Sequence, residues 1–258
     1  MSDGTLAVAL GRSFADLDVE LEPVSVPTPY GNVQLHRAFG HWVLFRHGRP
    51  HTWLPHQIPF RAHALALREV GVQSLVSTGT VALFDDNAPL FRPMLAADVA
   101  MDTGLLPDGT PASIFVDGVG PQGHLSLDEG IVSPHLNKML RGIATMLGSP
   151  LDVREVDIWH VAGPRQRTNA ENRALAAAGV EAVSMTLVPE MVLANELGIS
   201  TTALVVGHRS AHEPLSASEV ERRLAEARQP LETLCVSFLR SGHAIASGNT
   251  LFRFGGET

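Results

Sequence analysis

Four short apolar runs, each closed by glycine or a polar residue, limit what this chain can fold into. "TLAVAL", "HWVLFRHG", "QSLVSTG" and "TTALVVGH" are the length of strands and carry almost no polar alternation. Runs of that kind form a sheet whose two faces are both covered, because only burial on both sides removes the need for polar residues at every second position. Helical spacing occupies residues 61–70, 134–147, 169–178, 189–197 and 217–240. Ser216 and Ser218 are N-cap candidates for the last of these, and Pro230 inside it predicts a kink or a division. The sum is an α/β fold in a single domain over residues 1–258, with 217–258 as a C-terminal helical segment and tail. Residues 85–111 read as loop-rich with irregular strands, and no repeat or low-complexity linker divides the chain.

Charge narrows the ligands. With 27 acidic residues against 19 Lys and Arg, the net charge is −8, which leaves no basic footprint for a nucleic-acid backbone. An anionic ligand must then be small and held by local charge, and "RHGRPH" at residues 46–51 is the densest local cluster. Cys235 is the one cysteine, so neither an internal disulfide nor a zinc ribbon is expected, which fits a reducing cytosol. No apolar run approaches the roughly 20 residues of a membrane span, and "MSDG" lacks the basic start of a signal peptide. The expectation is a cytoplasmic protein with no membrane and no nucleic-acid partner.

In parallel sheets ligands collect beyond the carboxyl ends of the strands. The four runs end on Gly11, Arg12 and Ser13, on Arg46, His47 and Gly48, on Ser77, Thr78 and Gly79, and on Gly207, His208 and Arg209. Guanidinium, imidazole, hydroxyl and glycine amide together are the components of an oxyanion cradle. The same residues also occur as ordinary solvated loop residues, and the pattern alone leaves both readings open.

Two long blocks carry a family resemblance. "RHGRPHTWLPHQIPFRAHALALREVGVQSLVSTGTVALF" and "GPRQRTNAENRALAAAGVEAVSMTLVPEMVLANELGI", with weaker support from "TPYG" and "GHLSLDEG", resemble the purine nucleoside phosphorylase family, most closely its methylthioadenosine phosphorylase branch. The resemblance implies a mixed, twisted central sheet flanked by helices, and an enzyme that uses inorganic phosphate to cleave a nucleoside to free base and ribose 1-phosphate. It implies no cofactor beyond phosphate as co-substrate, and no enzyme nucleophile. Carried over by position, Arg12, Ser13, Arg46, His47, Thr78, Gly79 and Thr186 match phosphate-binding positions. Met185, Thr186 and His124 match the ribose side, and Gln166, His208 and Arg209 the base side. Arg46, His47 and Arg209 are the residues expected to act in catalysis. Arg49 is expected to brace its loop or an interface, and His51 to reach a neighbouring subunit.

The departures bear on the base. The family's glycine-rich first loop reads "LGRSF" here, its base-stacking Phe is Gln166, and its paired acids fall on Arg209 and Ala211. Arg209 only donates, so it cannot accept from the amino group of adenine. Arginine and glutamine suit a base with carbonyl oxygens and a ring N–H, which points to uridine or a 5′-modified uridine. A 6-oxopurine nucleoside or methylthioinosine is the alternative, and a catalytically silent nucleoside-binding or assembly protein is the alternative of another class. The resemblance also implies a homo-oligomer, a trimer or a dimer of trimers, for which the apolar "WLPHQIPF" suits an interface. "SGHAIASGNTLFRFGGET" has no counterpart in the resemblance.

Overall fold

The computed structural model describes residues 4–14, 17–85, 88–116, 122–210 and 215–254. Among them the strands are β1 (Thr5–Leu10), β2 (Glu22–Val26), β3 (Val33–Ala38), β4 (His41–Phe45), β5 (Val72–Leu83), β6 (Pro93–Ala100), β7 (Gln122–Ser126), β8 (Glu155–His160), β9 (Ala182–Ser184), β10 (Ser200–Ser210) and β11 (Thr250–Phe254). The helices are α1 (Phe60–Glu69), α2 (Pro134–Leu147), α3 (Asn169–Ala177), α4 (Leu187–Glu196) and α5 (Ala217–Ser241).

The four apolar runs become β1, β4, β5 and β10, which pair in parallel with β1 between β4 and β5, and β10 on the far side of β5. Both faces of β1 are covered. Leu6, Val8 and Leu10 join Val43, Phe45 and Val76 in a core closed by residues of α2 and α5, while Ala7 and Ala9 join Leu44, Leu75 and the Ala62, Ala66 and Leu67 side of α1. Such double burial leaves no solvent face to signal with a polar residue, hence the unbroken run. The antiparallel strands β2 and β3 extend the sheet beyond β4, and β6 runs antiparallel to β10, so the nine-stranded sheet is mixed.

The expected strand ending at Gly79 is corrected. β5 continues to Leu83, held by β10 along one edge and by β9 opposite Ala82 and Leu83. The pairings β5–β10, β10–β6, β6–β8, β8–β9 and β9–β5 close a ring of five strands. On the other edge β1 leaves β5 after Ala9 meets Ser77, and β9 arrives only at Ala82. Thr78 to Val81 therefore have no strand neighbour on that edge, and the candidate site forms at this gap.

Further expectations are refined by the structure. Pro230 does not divide α5, which runs unbroken from Ala217 to Ser241. Removing one backbone donor is offset by burial of Ala227, Leu231, Leu234, Cys235 and Phe238 on either side of it. Ser216, not Ser218, caps that helix, accepting from the Glu219 amide. The stretch after α5 is not a plain tail, since β11 pairs with β7 in a two-stranded sheet of its own. In the segment expected to suit an interface, Ile58 and Phe60 are buried with Leu106 and Leu193, while Leu54 is exposed. Among the described residues no helix is long and apolar enough to cross a membrane.

Candidate active site

Gly11 follows β1 and Arg46 follows β4, so parallel pairing brings both beside Thr78 on β5. Arg46 is fully buried. Its Nε donates to Glu190 Oε2 at 2.9 Å, its Nη2 to Glu190 Oε1 at 2.6 Å, and its Nη1 to the Thr78 carbonyl at 2.8 Å. Ser77 Oγ donates to the same Glu190 Oε1 at 2.6 Å. The Thr78 hydroxyl donates to the Ala9 carbonyl at 3.1 Å and accepts from the Gly11 amide at 3.2 Å. A Cβ on Gly11 would stand 3.0 Å from the Thr78 carbonyl oxygen and 3.3 Å from Arg46 Nη1, so this close approach requires glycine. The result is a guanidinium locked in one plane by a bidentate carboxylate.

Glu190 was not among the residues expected from sequence. It lies on α4 between buried Pro189 and Met191, and an acid in the middle of an apolar helix is the signal that could have marked it. His63 on α1 is a second such residue. It is fully buried, neither ring nitrogen has a hydrogen-bond partner, and its ring meets Trp53 edge-on at 5.7 Å.

Beside this network opens a cleft of about 310 Å³ lined by Gly11, Arg12, His47, Gly48, Arg49 and His51 among others. His47 Nδ1 lies 2.8 Å from the Trp53 carbonyl; a carbonyl only accepts, so Nδ1 carries the proton and Nε2 is left as an acceptor. The His47 and His51 rings stack at 4.7 Å, and Arg49 lies over the Phe45 ring at 5.0 Å. Arg12 is exposed and opens the short turn Arg12–Phe14, whose Ser13 carbonyl accepts from Arg228.

Next along the chain fold, Met185 packs so tightly on Gly163 that a Cβ there would meet its sulfur at 2.7 Å. Thr186 precedes α4 without using its hydroxyl as a cap; Ser184 Oγ instead accepts from the Thr186 and Leu187 amides. Gly79 is buried against Leu187, the first residue of α4. Strands β1, β4 and β5 thus bring Gly11, Arg46 and Thr78 together, Arg12 and His47 line the adjoining cleft, and Gly79 packs on Leu187, the residue after Thr186.

Of the residues expected on the base side, His208 and Arg209 lie at a β-bulge. The register of β10 against β5 shifts between Gly207 and Arg209, and His208 Nδ1 takes the Val81 carbonyl at 2.9 Å. Bulges of this kind re-aim side chains next to sites, and here Arg209 comes to lie opposite Ala82. Gln166 is exposed, with its backbone carbonyl taken by Arg165. His124 is exposed on β7 opposite Phe252, and its ring makes no hydrogen bond among the described residues. Ala211 lies outside the described residues.

Burial pushes His47, His63 and His208 down to about 4 from the ordinary 6.5. Each is neutral in the folded protein at pH 5 to 7, while the unfolded chain binds a proton below about 6.5. The unfolded state therefore binds more protons between pH 6.5 and 4, and stability falls as the pH is lowered through that window. The slope is at most about 1.4 kcal/mol per pH unit for each group, and urea unfolding at pH 7, 6 and 5 is expected to show it. His63→Asn is expected to flatten the slope, and identical midpoints at the three pH values would contradict the burial of all three.

Residues 8–240 match the family model of the phosphorylase superfamily. The chain belongs to the phosphorylase superfamily. It is 30% identical over 223 residues to the S-methyl-5'-thioadenosine phosphorylase of Pyrococcus horikoshii, with 83% of each chain covered. It is 35% identical over 183 residues to a probable S-methyl-5'-thioinosine phosphorylase of Methanopyrus kandleri, covering 68% of this chain and 67% of that one. Among solved structures, the methylthioadenosine phosphorylase of Schistosoma mansoni in complex with tubercidin superposes with a TM-score of 0.81 at 19% identity, over 92% of this chain and 91% of that one. This phosphorylase superfamily member is an enzyme of the pentosyltransferase, nucleoside phosphorylase type.

Proposed function

We propose that the enzyme cleaves, by phosphorolysis, a nucleoside whose base presents carbonyl oxygens. The observation that carries this reading is the bulge in β10 that sets Arg209, a pure donor, opposite Ala82 of β5. Inorganic phosphate, the co-substrate, is held by Arg12, Ser13, Arg46, His47, Thr78, Gly79 and Thr186. Met185 and Thr186 lie against the ribose, and Arg209 and His208 meet the base, with Gln166 at its outer rim. The phosphate oxygen bonds to C1′ as the C1′–N bond breaks, and positioning with preorganised charge supplies the catalysis. Exposed His124 fits a residue that completes the 5′ side of a neighbouring subunit's site in a trimer or a dimer of trimers.

Uridine, or a uridine altered at the 5′ carbon, is the leading substrate. A 6-oxopurine nucleoside is the second reading, favoured by the 35% identical relative named for methylthioinosine. The test is kcat/KM with phosphate for uridine, methylthiouridine, inosine, methylthioinosine and methylthioadenosine. One of the four carbonyl-bearing nucleosides is expected to exceed methylthioadenosine by at least about 100-fold, since unmet hydrogen bonds at a polar base site discriminate strongly. Preference for methylthioadenosine would refute the reading.

A further inference from the structure

We infer that Arg167 is a second guanidinium at the base end and that it stabilises, with Arg209, a pyrimidinedione leaving as its anion. This rests on the phosphorolytic reading of the site and extends it.

The loop before α3 turns its two arginines to different tasks. Arg165 is exposed and satisfied, with both Nη groups on Glu171 at 2.9 and 2.7 Å, while Glu171 also accepts from the Thr168 amide. Arg167 is half-buried, its Nε donating to Asn172 Oδ1 at 3.0 Å and its guanidinium carbon 5.8 Å from the centre of the Phe84 ring. Phe84 directly follows β5, whose Ala82 lies opposite Arg209. Arg167, Phe84 and Arg209 thus gather at one end of the five-strand ring. Burial lowers the Arg167 pKa, the charge of Glu171 opposes that shift and Arg209 adds to it, and both arginines add to the effect of burial on His208.

The nearby carboxylates are committed elsewhere. Asp85 pairs with Arg154 at 2.7 Å, Glu171 with Arg165, and Glu181 Oε2 accepts from the Asp157 amide at 3.0 Å. Among the described residues neither Arg167 nor Arg209 forms an ion pair. Two partly desolvated guanidiniums within each other's field are costly; Glu171 offsets part of that for Arg167, and further negative charge would offset the rest. A neutral nucleoside brings none. Charge appears as the C1′–N1 bond breaks and its electron pair stays on the base, spread over N1, O2 and O4. The proton that completes free uracil comes from the monoprotonated phosphate as it becomes ribose 1-phosphate, or through solvent water. Donors that meet that charge act in the transition state and not in the ground state, which is where they raise kcat.

The test compares uridine with 5-fluorouridine, whose base is the stronger acid and needs less help to leave. For Arg167→Gln, kcat on uridine is expected to fall about 10²- to 10³-fold, with a clearly smaller loss on 5-fluorouridine and an unchanged KM for phosphate that reports an intact fold. Arg167→Lys, which keeps the charge without the planar fork, is expected to recover part of the loss. Equal losses on the two nucleosides, a KM effect with kcat intact, or a fully active Arg167→Gln overturns this inference alone. A wild-type enzyme inert on both uridines also overturns it; activity on inosine in that assay leaves the carbonyl-base reading standing, and activity on methylthioadenosine alone removes both.

Discussion

Replacing Glu190 by alanine is expected to cost the fold about 3–5 kcal/mol, because it leaves the Arg46 guanidinium buried without its counter-charge. That is a large part of the roughly 5–15 kcal/mol that holds a typical domain together, and the urea midpoint should drop accordingly. The double variant Arg46→Met with Glu190→Leu removes both charges at similar volume. It is expected to regain most of the stability, since apolar replacement of a whole buried pair is often neutral, while remaining inactive. Recovery of stability without activity would separate the fold's need for a balanced pair from the chemistry's need for Arg46. If Glu190→Ala unfolds like the parent protein, the buried pair does not hold this end of the sheet together.

The second large effect belongs to Arg209. Arg209→Asp exchanges a donor for an acceptor at the residue opposite Ala82, and it is expected to lower kcat/KM for carbonyl-bearing nucleosides about 10²- to 10³-fold, the loss seen when one preorganised donor is removed. Turnover of methylthioadenosine should rise relative to uridine or inosine, because a carboxylate accepts from an amino group. Steady-state kinetics on the same preparation give both numbers. An unchanged ratio between the nucleosides would place Arg209 outside base recognition.

What the sequence disclosed followed burial. β1, β4, β5 and β10 are covered on both faces and announced themselves as apolar runs, and the five helices lie within a few residues of their expected spans. β2 and β8 did not, since their half-exposed patterns are short and interrupted by polar residues. β9 has three residues and exists only through its partners β5 and β8. Pro230 was read by its local effect, yet the apolar face of α5 outweighed it. Gly11 and Arg46 were legible because they sit where β1 and β4 end. Glu190 was not, because its role depends on meeting a residue 144 positions earlier in the chain, a relation that spacing along one helix cannot express. Arg167 escaped for a similar reason, its environment being made by Phe84 and Arg209 from β5 and β10.

The most direct test of the account is phosphorus NMR of the wild-type enzyme incubated with uridine or inosine and inorganic phosphate. The predicted result is loss of the phosphate signal with growth of a ribose 1-phosphate signal, equal in amount to the free base released, and no base release when phosphate is omitted. Base release that proceeds without consuming phosphate, or no release from either nucleoside, would contradict it.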